Sequence, residues 1–342
     1  MSALQPIRIV GGGLAGLSLG IALRKAGVPT EIFEAGNYPR HRVCGEFITG
    51  LDDDTIEQLG IGSAFTGAGR HGSVTWFVRE HSIGRQTLPA PARALSRFTL
   101  DASLAELFIA GGGRLSTQTR FNPTPHTPGI VLASGRQADS SSPWLGLKLH
   151  ARNLASTDEL EFHLGDGAYV GMSAVEEGWT NVCGLFRRRH GLLFDRDDAL
   201  PAYLRACGLN TLAERLAIAT IRPASRCAVA GFAFDRHVKE DIGIRLGDAC
   251  AMIPPFTGNG MAMALTSAAL AIAPLMAWSR GEQAWDDVVH TIQKALRNEY
   301  RLRLAGASFL HPFLLNRTLQ SIFASVAHAG FLPITTLYRL TH

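Results

Sequence analysis

Cysteine is the first scarcity. The 342-residue chain has five, Cys44, Cys183, Cys207, Cys227 and Cys250, far apart and without a C-x-x-C pair. An odd number at such spacing argues against a disulfide framework and against a zinc or iron–sulfur site, so no metal centre is expected. Charge is also thin, at 18% of residues, and the net +4 comes from arginines spread along the chain rather than gathered in blocks. That gives a nucleic-acid role little support, while acidic small molecules and a weakly basic face toward a membrane stay open. No basic-then-apolar leader precedes the first apolar run, and the expected location is cytoplasmic, with membrane association left open. The longest apolar stretch, 262–278, contains Thr266, Ser267 and Pro274 and reads as a buried helix rather than a membrane span.

Glycine is what the chain has in quantity, 36 residues beside 16 prolines and 46% hydrophobic content, which suits a loop-rich α/β protein of one or two domains. The first glycines are ordered. Ile7, Ile9 and Val10 form a buried-strand run. Gly11, Gly13 and Gly16 follow in G-x-G-x-x-G spacing, with Leu14 and Ala15 entering a helix whose apolar positions continue at Leu17, Ile21 and Leu23. A second strand, TEIFEA, ends in Glu34 and Ala35. Glycines permit the tight turn and the close approach to a pyrophosphate, whose charge then sits on the helix N-terminus. Glu34 is placed to accept from a ribose 2′-hydroxyl. Strand, glycines, helix, strand and terminal acid together predict a site for an ADP-containing cofactor, and nothing in the first fifty or so residues decides between NAD and FAD.

A second glycine motif lies at 243–271. Ile244, Arg245 and Leu246 read as a strand closed by Gly247-Asp248. A loop with Pro254, Pro255, Gly258, Asn259 and Gly260 then leads into an Ala- and Met-rich helix from Met261. Here the chain resembles the FAD-dependent oxidoreductases that include geranylgeranyl reductases, hydroxybenzoate hydroxylase-type enzymes and flavin-dependent halogenases. The resemblance spans about residues 5–300 and implies that Asp248 binds the ribityl hydroxyls and that the Pro254–Gly260 loop meets the isoalloxazine edge. One departure is Gly247-Asp248-Ala249-Cys250-Ala251, where hydroxylases often carry G-D-A-x-H. LSRFTLDASLAEL (95–107) has the R-x-x-L-D-x-x-L form of the family and puts Arg97 near the FAD. Only some fifteen residues separate GGGRL (111–115) from VLASG (131–135), where related flavoproteins place a longer β-meander.

YPRHRVCGEFITG (38–50) is close to the P-R-x-K-x-C-G-E form of geranylgeranyl-reductase-like dehydrogenases, with Arg42 where lysine is more usual. On that resemblance Arg42 sits near the pyrophosphate or flavin, and Gly45 lets backbone pass over a flat ring. Three residues are candidate catalytic groups, each with two readings. Cys44 packs on the ring as a soft residue, or acts as a weak acid or redox thiol. Glu46 orders the loop or faces the substrate. Lys148, in a roof strand, donates to substrate or forms a rim salt bridge.

The resemblance implies an α/β fold: a discontinuous Rossmann-like FAD-binding domain of GR2 type (1–70, 95–137, 240–280), an inserted antiparallel β-sheet substrate domain (71–94, 138–239) and a C-terminal helical region (281–342). Within the last, Leu315, Leu319, Ile322, Phe323 and Val326 are expected on one helical face, as ordinary packing, a lid for a lipophilic substrate, or a peripheral membrane contact. The leading expectation is an FAD-dependent reductase or dehydrogenase acting on a hydrophobic, isoprenoid or polyketide-derived small molecule. An FAD monooxygenase of aromatic or phenolic substrates is the alternative. A halogenase ranks lower, since no W-x-W-x-I-P segment occurs, and a non-catalytic flavoprotein last. No second dinucleotide motif is visible, so NADPH or NADH enters only as a transient donor. Oligomeric state is not legible.

Overall fold

The computed structural model describes residues 4–328 apart from 125–126, 156–158, 236 and 239–242, together with Tyr338 and Thr341. β1 (Ile7–Val10) turns through the glycines into α1 (Leu14–Lys25) and β2 (Thr30–Phe33). The turn is glycine by necessity. Gly11 has φ +109°, and a Cβ there would lie 2.2 Å from the Ala133 carbonyl oxygen, while one on Gly16 would lie 2.0 Å from that of Gly11.

The chain then leaves through β3 (Phe47–Ile48), α2 (Asp53–Leu59) and a long hairpin, β4 (Gly69–Val78) and β5 (His81–Ala94). It returns with α3 (Arg97–Ala110), β6 (Arg114–Ser116) and β7 (Ile130–Leu132). A second excursion comprises β8 (Trp144–Arg152), β9 (Leu160–Gly165), β10 (Ala168–Ala174), β11 (Thr180–Arg187), α4 (Ala199–Ala206), α5 (Asn210–Ala217) and β12 (Thr220–Ala230). β13 (Ile244–Arg245) re-enters the first sheet and is followed by α6 (Gly260–Ser279), α7 (Trp285–Leu315) and α8 (Arg317–His328).

Two sheets result. One is parallel, in the order β13-β7-β1-β2-β6, as βα crossovers require. α1 packs on it between α3 and α6, and these elements share one core. The second has the order β12-β8-β11-β10-β9-β4-β5-β3. It is antiparallel as expected except where β4 and β9 pair in parallel, because the sheet is joined there from two separate excursions. Its outer face, with Leu147, Leu149 and Ala151, is covered by α4 and α5. Its inner face meets α7 and α8 through Leu314 and Ala327.

α6 is the helix among the described residues long and apolar enough to cross a membrane, but Leu265, Ala268 and Leu275 are fully buried against the core. The single apolar face expected over 315–326 is corrected. Leu315 closes α7, and the Asn316 side-chain oxygen accepts from Thr318 N and Leu319 N at 3.0 and 3.1 Å, starting a new helix. Leu319 and Phe323 are half-buried, whereas Ile322 and Val326 are exposed. Residues 329–333 of that expected segment lie outside the described residues.

Candidate active site

The two glycine motifs meet at the start of α1. A Cβ on Gly13 would find nothing within 4 Å, so the turn is open on that side, and no side chain caps the start of α1. Leu14, Ala15 and Gly16 are buried behind it. Gly247, with φ +58°, lies against Ala15 at the same turn, a Cβ there being 3.3 Å from that of Ala15. Glu34 is buried; its carboxylate accepts from Gly12 N and Gly36 N, both at 2.8 Å, and pairs with Arg40 at 2.7 Å. Tyr38 donates its hydroxyl to the Gly12 carbonyl. Ala35 is exposed.

Arg97 and Arg42 converge on one carboxylate, which sequence reading did not single out. Asp101 is fully buried and takes Arg97 Nε and Nη2 at 2.6 and 2.8 Å and Arg42 Nε at 3.0 Å. The signal was present in R-x-x-L-D, whose i, i+4 spacing puts acid and base on one helix face. Burial works against the Arg97 charge, yet Asp101 holds its pKa above the usual value, with the charge of Asp248 adding to the effect. Arg42 Nη2 is buried and makes no hydrogen bond among the described residues. The uncapped start of α1, an unpartnered guanidinium donor and the nearby Asp248 carboxylate suit an anionic, hydroxyl-bearing group such as the ADP-ribityl part of FAD.

The second loop is clipped to β3. Pro255 opens a short 3₁₀ turn, and Gly258 has φ +66°. A Cβ on Gly258 would lie 2.2 Å from the Phe47 ring. Thr49 N donates to Gly258 O at 3.2 Å, and Thr49 Oγ1 to Thr257 O at 2.9 Å. Gly260 and Met261 begin α6, again without a side-chain cap, so a partial positive charge is presented there. Asn259, expected at the cofactor edge, commits its buried amide nitrogen to Thr341 O at 2.8 Å and its oxygen to Arg303 at 3.4 Å. The Cys44 sulfur touches that of Met261 at 3.4 Å, and burial pushes its thiol pKa up, which favours the protonated thiol over thiolate. A Cβ on Gly45 would meet the Phe47 ring at 2.8 Å, and Asn181 donates to the carbonyls of Cys44 and Gly45 at 3.0 and 2.8 Å.

Glu46 adopts φ +57°, uncommon outside glycine, and is fully buried. Its Oε1 accepts from Lys148 Nζ at 2.9 Å and Arg97 N at 3.0 Å, and its Oε2 from His150 Nε2 at 2.6 Å. Lys148 Nζ also lies 3.2 Å from His41 Nδ1. Burial alone would raise the Glu46 pKa, but the His150 hydrogen bond and the Lys148 charge bring it below the usual value. Burial, then the Lys148 cation, lowers His41 to about 4. Lys148 is therefore paired in the interior rather than at the rim. Ligand atoms of His41, Glu46 and His150 lie within 4.8 Å of one another, but the Lys148 ammonium already stands among them, where a divalent ion would meet a like charge.

Cross-strand pairing sets Trp76, Phe162, Gly171, Cys183, Lys148 and Cys227 in one row on the inner face. At its apolar end is a cavity of about 190 Å³, lined by Phe47, Val74, Trp76, Phe162, Phe256 and Thr257 and closed by Leu310, Phe313, Leu314 and Phe323. Beside it His311, lowered by burial to about 4, lies 3.3 Å from the Tyr169 hydroxyl. Sequence reading missed His41, His150, Asn181 and these cavity aromatics. Only His150 carried a local signal, two residues from Lys148 in a strand and so on the same face.

Residues 9–58 match the family model described as an NAD(P)-binding Rossmann-like domain. No curated protein is similar to the chain in sequence. Solved structures are similar along its whole length. The flavin-dependent brominase Bmp2 is 16% identical with a TM-score of 0.77, over 99% of this chain and 93% of that one. Klebsiella pneumoniae HpxO, complexed with FAD and uric acid, is 15% identical with a TM-score of 0.75, over 98% and 96%. Pseudomonas aeruginosa PqsL, a probable FAD-dependent monooxygenase, is 14% identical with a TM-score of 0.71, over 96% and 99%. The chain has the α/β fold of these flavoproteins: a Rossmann-like parallel sheet, an added β-sheet and C-terminal helices.

Proposed function

We propose that the chain is an FAD-dependent monooxygenase of a small hydrophobic, aromatic or phenolic substrate, with NADPH or NADH as transient electron donor. One juxtaposition carries the reading: Phe47, Phe256 and Thr257 belong both to the wall of the apolar cavity and to the clip between β3 and the Pro254–Met261 loop. The Pro254–Met261 loop and Phe47 would hold the flavin ring next to the substrate space. The similar structures support the cofactor, since HpxO is complexed with FAD and Bmp2 is flavin-dependent. They favour oxygen chemistry over the reduction of an isoprenoid-like substrate expected from C-G-E and P-P-F-T-G-N-G-M, which stands second.

Bound FAD would supply oxygen activation after reduction. This chain's residues supply the rest. The Gly11–Gly16 turn and Arg42 would hold the pyrophosphate, and Asp248 the hydroxylated chain. The start of α6 opposes negative charge, and Phe47, Trp76, Phe162 and Phe256 keep water from the substrate. Glu46, ionised, pairs with Lys148 and ties the C-G-E loop to β8. The test is to purify the chain, record its visible spectrum, and follow NAD(P)H oxidation and oxygen uptake with a panel of phenolic and aromatic substrates. Flavin absorption with substrate-stimulated oxygen uptake is expected. A chain that cannot be loaded with FAD refutes the proposal, and substrate reduction without oxygen uptake replaces it with the reductase.

A further inference from the structure

We infer that the α7–α8 end of the molecule docks on an anionic lipid bilayer. On α7, Leu302, Phe309 and Phe313 recur at spacings that set them in one stripe, and they are 66%, 68% and 37% exposed. The stripe runs opposite the buried Leu304, Ala307, His311 and Leu314. α8 adds exposed Ile322 and Val326, one helical turn apart. Single exposed apolar residues need no explanation, but an ordered stripe does.

Charge identifies the occupant. Between Tyr300 and His328 there is no aspartate or glutamate, and although Arg303 pairs with Glu299, Arg301 and Arg317 add cationic charge. At the junction of the two helices lies a cavity of about 410 Å³ lined by Arg187, Arg188, Arg189, Asn316 and Arg317. Its one acid, Asp166, pairs with Arg189 at 3.1 Å, and no acidic partner contacts Arg187, Arg188 or Arg317 among the described residues. Phe309 stands six residues before Leu315, so stripe and cavity lie within about 10 Å along the helix axis. Apolar side chains that enter the acyl boundary beside cations that meet phosphate headgroups are the two requirements of interfacial binding. A second copy of the chain is a poorer occupant, because a two-fold contact would turn unneutralised arginines toward one another. A soluble phosphate leaves the stripe without a role.

Phe313 also lines the apolar cavity beside Phe47 and Trp76, so the docked face adjoins the substrate space. A membrane-partitioned substrate is the consequence; that extension rests on the function proposed above, and the docking does not.

The test is co-sedimentation of the full chain with vesicles of phosphatidylcholine mixed with phosphatidylglycerol and with phosphatidylcholine alone, at low and high salt. It needs neither flavin nor turnover, so its outcome is separate from that of the flavin reading. Binding to the anionic vesicles that weakens with salt is expected. Phe309→Ser with Ile322→Ser, and separately Arg188→Glu with Arg317→Glu, should each weaken it roughly tenfold or more, with thermal unfolding unchanged. The inference is overturned if the chain stays in the supernatant with anionic vesicles, or if neither variant alters binding. It is also overturned if the chain elutes as a dimer that the apolar variant dissociates and binds no vesicles, or if it binds inorganic phosphate but no vesicles.

Discussion

Replacing Lys148 by methionine tests whether the interior ion pair organises the loop that carries Cys44 and Gly45. Lys148 and Glu46 side chains are both 0% exposed and 2.9 Å apart, so the variant leaves a buried carboxylate with only His150 and the Arg97 amide as donors. Breaking a buried pair from one side costs about 3–5 kcal/mol, a large share of the roughly 5–15 kcal/mol that holds a domain together. The pH dependence adds a signature. In the wild type the Glu46 pKa is below its ordinary 4.5, so its contribution is present above that value and lost as pH falls through the folded one. Without Lys148, burial pushes the carboxyl the other way, and the variant is penalised most where Glu46 must stay charged. The gap between the two proteins therefore narrows on acidification. Urea unfolding of both at about pH 8 and about pH 5 measures it. Glu46→Gln combined with Lys148→Met should cost less than the sum of the single changes, by about 1–3 kcal/mol. A Lys148→Met cost below about 1 kcal/mol, or a gap that does not change with pH, would show that water reaches the pair and refute the reasoning.

The remaining predictions concern the glycine turn, the arginine pair and the histidines. Gly11→Ala should destabilise the fold, because its Cβ would be 2.2 Å from the Ala133 carbonyl, whereas Gly13→Ala meets nothing within 4 Å and should unfold like the wild type. FAD fluorescence titration should nevertheless show weaker binding by Gly13→Ala; unchanged affinity would remove the pyrophosphate from that turn. Asp101→Asn releases both Arg97 and Arg42, and should lower FAD affinity about tenfold with a smaller change in melting temperature. An effect on melting alone would make Asp101 purely structural. His41 and His311 fall from 6.5 to about 4 through burial, so the unfolded chain binds more protons between those values. Stability should drop as pH falls across that window and level off below it, and His311→Phe should remove part of the slope; an equal slope would mean that His311 is already protonated in the folded protein.

How much was legible depends on how far apart the cooperating residues stand in the chain. The Gly11–Gly16 turn, Glu34 and the Arg97–Asp101 pair are encoded within single elements, where backbone periodicity alone sets which groups meet. The two sheets follow from strand runs separated by turn residues, and even the face shared by Gly146, Lys148 and His150 is contained in period-2 alternation. What brings Lys148 and His150 to Glu46 is different. Those partners are 102 and 104 residues away, and their meeting requires both the register of β8 against β11 and a left-handed backbone at a glutamate. Neither is written locally, since glutamate has no preference for φ +57° and a register shift of one residue would turn Lys148 to the outer face. The same holds for the helix break at Asn316, whose capping role competes with an apolar pattern that continues unbroken from Phe313 to Val326. A capping side chain outweighed the hydrophobic period there, and that is why Ile322 and Val326 face outward instead of joining Leu315 on one face.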